Sequence, residues 1–501
     1  MKIGISYPPI DTNKGVPLLS QNRQFQYFNN PTFIYPVVPA YAATLLKKNG
    51  YEVAWLDGIA EQWSYQKFLG KLEEKKVDLV AIEAKTPIIR KYWEIINDLK
   101  EKFPTMVTVL VGDHVTALPE ESFKNSNVDY VLTGGDFDFA LLNLVNHIAR
   151  GENLEQGVYY RDRKGKVINT GKFQTNHSLT KLPLIDRKLT KWQLYAYNNG
   201  NFEYTPGAYT MIGRDCWWRK PSKGGQGCVF CSWTSIFPNW RTGKPEKLLD
   251  EIGELIKLGV REVFDDTGTF PVGSWLNKFC NGMIDRGYNK KVVIGCNMRA
   301  NALNQKEYDL MGKANFRFIL YGLESASQKT LDKLNKGTKT EDMVNAARMA
   351  TKAGLEPHVT CMVGYPWETY EDAQNTVKRT KELFDKGLIN TLQATIVIPY
   401  PGTALFKECE ENGWLKTLDW DRYDMREPVM KCPISDRKIL ELTQSIYTSF
   451  LTPKYILRKL LSIRSYDDIN YYVIRGSKYI WGHLKDFTKT KTSEKDSAVK
   501  N

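Results

Sequence analysis

Along residues 1–150, short apolar runs alternate with stretches in which apolar side chains recur every three or four positions. Residues 2–6, 51–56, 79–84, 108–111 and 128–133 read as strands. Residues 38–49, 61–75 and 88–102 read as helices, the first of them ended by Gly50. Strand–helix alternation with short connections predicts a parallel sheet with helices on both faces. Ligands of such sheets bind beyond the carboxyl ends of the strands, here near Lys85-Thr86, the stretch from Gly112 to Thr116, and Gly134-Gly135.

Residues 151–205 are more polar, with a small hairpin expected at 157–161 and 166–169. From Ala208 the alternation resumes. Strands are expected at 208–212, 262–265, 292–295, 316–322, 356–362 and 393–398, with helices around 245–258, 274–286, 307–313, 328–334, 340–353 and 370–386. Six strand–helix units predict an open, partial (β/α)6 TIM-like barrel. After Phe406 the rhythm stops; residues 436–451 and 453–463 read as helices, the second amphipathic and basic. The chain is thus α/β: a doubly wound Rossmann-like domain (1–150), a linker with a hairpin (151–205), a partial barrel (206–405), a mainly helical C-terminal region (406–485), and a basic tail (486–501) whose composition predicts disorder.

Composition changes this picture little. At 42% hydrophobic and 25% charged over 501 residues, the chain is an ordinary globular one with room for two or three domains. No apolar run reaches the length of a membrane span, and the N-terminus reads as a strand rather than a signal peptide. A net charge of +13 admits nucleic acid or an anionic surface as partner, but a lysine-rich composition gives the same excess without one. Eight cysteines, scattered outside one cluster, point to the reducing cytoplasm and metal chemistry rather than to disulfides.

That cluster holds the candidate chemistry. No cysteine precedes residue 216, and then Cys216, Cys228 and Cys231 arrive together, the last two as a C-x-x-C pair able to share one metal centre. Two readings are open. Three thiolates hold three irons of a [4Fe–4S] cluster and leave the fourth for a small molecule, whereas a zinc knuckle needs a fourth protein ligand from elsewhere. Because Cys216 closely follows the first barrel strand, all three thiols fall at the carboxyl-end rim, with Phe230 placed to wall one side of a bound molecule. Cys280, Cys296, Cys361, Cys409 and Cys432 read as buried or incidental thiols.

The C-x11-C-x-Φ-C arrangement, with Phe230 at Φ, resembles the cluster motif of the radical S-adenosylmethionine superfamily, whose usual spacing is C-x3-C-x-Φ-C. The longer loop contains Gly224, Gly225 and Gly227, which tolerate the tight turns needed to fold it back. Later strand ends extend the resemblance: Phe264-Asp265-Asp266-Thr267, Asn297-Met-Arg299, Gly322-Leu-Glu324-Ser325, Gly364-Tyr-Pro-Trp-Glu368-Thr and Pro399-Tyr-Pro401-Gly402. Singly, each reads as a helix cap or tight turn. Their order along the chain is what carries the resemblance. It implies that Cys216, Cys228 and Cys231 hold the cluster, while Phe230, Asp265, Asp266, Arg299, Glu324, Ser325, Gly364, Glu368 and Pro401 surround S-adenosylmethionine.

In the first domain, Tyr7-Pro-Pro, the Pro39-Ala-Tyr-Ala-Ala stretch, Gly50-Tyr-Glu-Val and the segment from Gly112 through His114 to Glu120 resemble the cobalamin-binding domain that precedes many radical enzymes. Thr86, His114, Thr116, Gly134 and Gly135 are the implied cobalamin contacts. No D-x-H-x-x-G occurs, so the resemblance implies a cobalt without a histidine lower ligand; the plain reading of His114 is a hydrogen-bonded residue at a strand end.

The activity implied is reductive cleavage of S-adenosylmethionine to a 5′-deoxyadenosyl radical, fed by a low-potential donor such as ferredoxin or flavodoxin, with methylation of an unactivated carbon in a small-molecule or lipid-like substrate. Ring formation or oxidation without methyl transfer is the nearest alternative. An RNA-modifying enzyme and a non-catalytic cobalamin- or metal-binding protein are the rivals from other classes. Against the first stand the absence of cysteine before residue 216 and the helical C-terminus; against the second stands the series of rim turns. The basic amphipathic helix adds peripheral membrane contact as an expectation.

Overall fold

In a computed structural model the protein is described over residues 1–18, 25–219, 225–449 and 452–475. The expected tail at 486–501 and Gly224 of the cluster loop lie outside the described residues.

The first sheet is built from β1 (Lys2–Tyr7), β2 (Glu52–Asp57), β3 (Leu79–Glu83), β4 (Val107–Val111) and β5 (Tyr130–Leu132), in spatial order β2-β1-β3-β4-β5 and parallel throughout. All five residues of β3 are buried, as expected of strands covered on both faces. Helices α1 (Val37–Lys48), α2 (Tyr65–Lys75), α3 (Ile89–Lys102) and α4 (Phe137–Arg150) supply that cover. Helix α2 begins four residues later than its apolar pattern alone suggests, because Ser64 caps it by accepting from the Lys67 N–H.

The hairpin expected within the linker belongs to this sheet. Its strands β6 (Val158–Arg161) and β7 (Val167–Asn169) add to β5 in antiparallel pairing, giving seven strands in all.

The second sheet has six parallel strands in chain order: β8 (Gly207–Thr210), β9 (Glu262–Asp265), β10 (Val293–Met298), β11 (Phe316–Glu324), β12 (Glu356–Val363) and β13 (Thr391–Ile396). It does not close, so this is the expected partial barrel. Its outer face is covered by α5 (Pro245–Lys257), α6 (Ser274–Asp285), α7 (Gln305–Lys313), α8 (Gln328–Lys333), α9 (Thr340–Lys352) and α10 (Tyr370–Asp385).

An open sheet leaves two edges with unpaired backbone groups. At β8 the buried Arg187 donates to the Tyr209 carbonyl at 2.9 Å. At β13 the C-terminal helices that follow α11 (Ala404–Glu411) take over: Tyr447 of α12 (Asp436–Thr448) donates to the Ala394 carbonyl at 2.6 Å, and Tyr455 of α13 (Pro453–Ser462) donates to the Asn390 carbonyl at 2.7 Å. A π-helical turn, Ile469–Arg475, ends the described chain.

Candidate active site

The cluster loop leaves β8 through a two-strand clasp in which Gly213–Arg214 pairs antiparallel with Arg241–Thr242. Both arginines of the clasp reach into the first domain. Arg214 donates to Asp138 at 2.6 Å and to the Gly135 carbonyl at 3.1 Å; Arg241 makes two 2.7 Å bonds to Asp136. His177 sits between Asp136 and Glu155 at 3.1 Å from each and stacks on Phe139 at 4.5 Å. Burial lowers the His177 pKa, but the two carboxylates outweigh it and raise it to about 9. Burial likewise raises the Asp136 carboxyl, yet His177 and Arg241 hold it down at about 2. The acidic turn after β5 therefore grips the base of the cluster loop.

Past the clasp, the backbone of Asp215-Cys216 runs against Gly268, where a β-carbon would stand 2.6 Å from the Asp215 carbonyl oxygen. Cys216 Sγ lies 2.9 Å from Thr269 Oγ1. Farther along, the turn after α8 braces the loop: Leu334 accepts from the Val229 N–H, Asn335 donates to the Gly227 carbonyl at 2.7 Å, and Trp218 donates to the Asn335 carbonyl at 2.8 Å.

None of the three cysteines is in a disulfide, and all are half-buried on the wall of one cavity of about 560 Å³. Among the described residues no three His, Cys, Asp or Glu side chains come close enough to hold a single metal ion. Burial raises the Cys228 thiol pKa, opposed by the nearby Lys336 and Arg299 cations. Three thiols outside disulfides on the wall of one space, with two cations beside Cys228, fit an iron–sulfur cluster bound by three cysteines.

Next to the thiols the wall turns strongly polar. Asp266 accepts from Asn297 at 3.0 Å, and Lys336 Nζ lies 2.7 Å from Glu324 Oε1. Glu324 has φ +61° at a bulge where β11 slips against β12, and this left-handed turn belongs to the rim. The Arg299 guanidinium stacks 4.3 Å above Trp218 and donates to the Lys336 carbonyl, while its buried Nε has no hydrogen-bond partner among the described residues. Two cations, two carboxylates and an unsatisfied donor, all on the cavity wall, fit a ligand with its own carboxylate, amine and sulfonium, which is to say S-adenosylmethionine.

Beyond this polar end the cavity runs down the inside of the half-barrel. Alternate residues of β11 and β12 line it, Phe318, Leu320, Gly322 and Glu324 beside His358, Thr360 and Met362. Their neighbours Ile319, Tyr321, Val359 and Cys361 pack outward, as the two-residue period of a strand requires. His358 bonds Thr391 at 2.8 Å, and burial pushes its imidazole down to about 4.

Of the residues expected at S-adenosylmethionine, Phe230, Asp266, Arg299 and Glu324 line the cavity. The others do not. Asp265 is buried and accepts from Thr210, the Ile212 N–H and the Thr267 N–H, tying β9 to β8. Ser325 is buried and accepts from the Ser327 N–H at 3.1 Å. Glu368 lies under the sheet, accepting from the Gly364 N–H at 2.7 Å, and burial raises its carboxyl to about 8. Pro401 precedes Gly402, whose turn is wedged between Ala117 of the first domain and Ser235 of the cluster loop. Sequence reasoning missed Lys336, Trp218's stacking on Arg299, and His358. A lysine in a lysine-rich chain gives no signal of its own.

The five expected cobalamin contacts are engaged by protein. His114 is fully buried, 3.2 Å from Thr86 Oγ1 and 3.2 Å from Glu121, with the Trp420 ring 5.3 Å away. Thr116 donates to the Gly112 carbonyl and accepts from the Gly134 N–H. A β-carbon at Gly134 would strike Phe173 and one at Gly135 would strike Phe237. Space shared by the two domains lies instead in the cavity that also holds the thiols, lined by Leu18, Phe28, Thr32 and Ile34 of the first domain and by Ile398, Tyr400 and Met425. Apolar side chains of the first domain on the same cavity as the thiols suit the hydrophobic edge of a corrin ring, and among the described residues no histidine of the first domain lines that cavity.

Two family models match the chain, one described as the Radical SAM superfamily over residues 222–380 and one as a B12 binding domain over residues 31–138. The bacteriochlorophyllide d C-8(2)-methyltransferase of Chlorobaculum tepidum is 31% identical over 418 residues, covering 77% of this chain and 82% of that one. An uncharacterized methyltransferase of Pyrococcus horikoshii is 27% identical over 438 residues, 85% of this chain and 90% of the relative. Among solved structures, the cobalamin-dependent S-adenosylmethionine radical enzyme OxsB superposes with a TM-score of 0.69 at 14% identity, covering 97% of this chain and 72% of that one.

Proposed function

Because the chain belongs to the cobalamin-dependent radical S-adenosylmethionine methyltransferases, we propose that it methylates an unactivated carbon of an apolar, small-molecule or lipid-like substrate. The observation that carries this reading is the two-part cavity: three thiols and a zwitterion-matching polar wall at one end, and an apolar passage through the half-barrel beyond it. When bound, the cluster and S-adenosylmethionine supply a radical able to take hydrogen from carbon, and cobalamin supplies a transferable methyl group.

The chain's own residues position and enclose. Cys216, Cys228 and Cys231 would hold the cluster. Arg299 and Lys336 would pair with the ligand carboxylate, Asp266 and Glu324 with its cationic and hydroxyl groups, and Phe230 would cover one face. Trp218 fixes the plane of Arg299. Leu18, Phe28, Thr32, Ile34, Tyr400 and Met425 would hold the corrin ring. Phe318, Leu320 and Met362 exclude water from the path of the substrate, which matters because a carbon radical must meet only its intended partner. A low-potential donor such as ferredoxin or flavodoxin completes the reaction.

The test is anaerobic reconstitution with iron, sulfide and cobalamin, followed by assay for 5′-deoxyadenosine and for transfer of a labelled S-adenosylmethionine methyl group. Iron–sulfur absorption with 5′-deoxyadenosine formation is expected. Their absence sinks the radical reading, and cleavage with no methyl transfer to any apolar acceptor moves the enzyme to ring-forming or oxidative chemistry.

A further inference from the structure

The passage that starts at the thiols does not end inside the protein. Its far wall is formed by Phe384 and Tyr455 and then by Ile456 and Leu460 of α13, and the last two are also 47% and 57% exposed. The mouth of the cavity and the outer face of α13 therefore share residues. That face is apolar beyond what an ordinary surface carries: Leu457 and Leu461 are 58% and 67% exposed, and Tyr466, Ile469 and Val473 extend the patch. Seven of the fourteen exposed large hydrophobic side chains among the described residues fall between residues 456 and 473, a concentration in one short stretch and not a scatter.

Charge says what covers it. Residues 452–465 contain Lys454, Arg458, Lys459 and Arg464 and not one acidic residue. Lys454, in the first turn of the helix, and Arg464, just past its end, are exposed. Arg458 donates to the carbonyls of Phe384 and Asp385, which fixes α13 against the barrel, and Tyr455 fixes it again through Asn390. The helix is thus tied to the barrel with its leucines exposed, Lys454 and Arg464 exposed near its two ends, and Lys459 on the cavity wall. An apolar face framed by cations matches a bilayer surface that carries anionic headgroups. No helix of the described chain is long and apolar enough to cross a membrane; α13 would lie on one.

We propose that the outer face of α13 docks on an anionic lipid bilayer, placing the mouth of the cavity at the hydrocarbon boundary so that a lipid-soluble substrate enters without crossing water. This rests on the methyltransferase reading for what happens inside the cavity, but not for the docking itself.

The experiment is co-sedimentation of the full chain with vesicles of phosphatidylcholine alone, and of phosphatidylcholine with one quarter phosphatidylglycerol. It compares the natural chain with the double variant Leu457→Glu/Leu461→Glu, whose positions lie off the cavity wall. Binding to the anionic vesicles is expected to fall at least tenfold in the variant, and to be weaker for neutral vesicles and at high salt. Reductive cleavage of S-adenosylmethionine in the absence of vesicles should stay unchanged, so a failure of docking and a failure of the radical reading are told apart. No binding to anionic vesicles, or equal binding by the variant, overturns the proposal. So does a dimer in solution that the variant splits, which assigns the face to a second copy, or binding that appears only after residues 476–501 are removed, which assigns it to the chain's own tail.

Discussion

Arg214 Nη2 stands 2.6 Å from Asp138 Oδ2, and both side chains are closed to solvent. One belongs to the clasp of the cluster loop and the other to the first helix turn beyond β5, so the pair joins the two domains at the point where the thiols are presented. Removing one member of a buried pair leaves the other charge uncompensated, at a cost of about 3–5 kcal/mol. Asp138→Asn is expected to lose that much stability in denaturant unfolding and to take up less iron on reconstitution. Unchanged stability with full iron content would show that the clasp is not what presents the thiols.

Cys216 lies outside the stretch matched by the Radical SAM model and is separated from Cys228 by the long loop. Cys216→Ala should abolish both cluster absorption and 5′-deoxyadenosine formation, while Cys409→Ala, at a buried thiol off the cavity wall, should abolish neither. Retention of the cluster in Cys216→Ala would remove this residue from the ligand set.

Trp218 supports Arg299 without being needed for charge. Loss of the indole in Trp218→Ala should raise the KM for S-adenosylmethionine about tenfold, equivalent to about 1.4 kcal/mol, with little change in kcat. Trp218→Phe should restore most of it because a ring face remains. A purely structural role would instead lower the yield of folded protein in both variants and leave KM alone.

His358 faces the apolar passage as a neutral imidazole, held near 4 by burial. Since its folded pKa is depressed below the ordinary 6.5, the stability it contributes is full above about 6.5 and is lost as pH falls toward about 4. His358→Phe should remove this acid sensitivity, measured by unfolding between pH 7 and 4. It should also uncouple S-adenosylmethionine cleavage from product formation while cleavage itself continues.

His177 has the opposite sign. Bridging Asp136 and Glu155, it is raised to about 9, so its contribution is full below about 6.5 and is lost as pH rises through about 9. Its imidazole is partly exposed, which discounts the size of the effect. His177→Gln should flatten the alkaline limb of the stability profile; a profile identical to that of the natural chain would assign the limb to other groups.

The strands of both sheets were legible because buried parallel strands are nearly continuous apolar runs, and the thiols because three cysteines in one loop are chemically conspicuous. What a linear motif does not carry is which face of a turn meets the ligand. Asp265 and Asp266 are neighbours, yet strand alternation sends the first to Thr210 and the second to the cavity. Glu368 looked like a ligand contact and instead satisfies the Gly364 N–H of its own turn. Asp136 and Asp138 follow the expected Gly134-Gly135 turn, but their partners Arg241 and Arg214 lie 105 and 76 residues away in sequence, a pairing that only the packed chain brings about.

The half-barrel never closes, and different stretches of chain therefore do different work. The thiols and the polar wall come from the strand ends and loops between residues 210 and 336, whereas the outer end of the passage is completed by residues 447–473, which lean on the barrel through Tyr447, Tyr455, Arg458 and Asp467. Replacing that lean-to would reshape what the enzyme accepts and leave the radical machinery standing. An architecture divided in this way lets one reaction be refitted to many substrates by exchanging a single terminal piece.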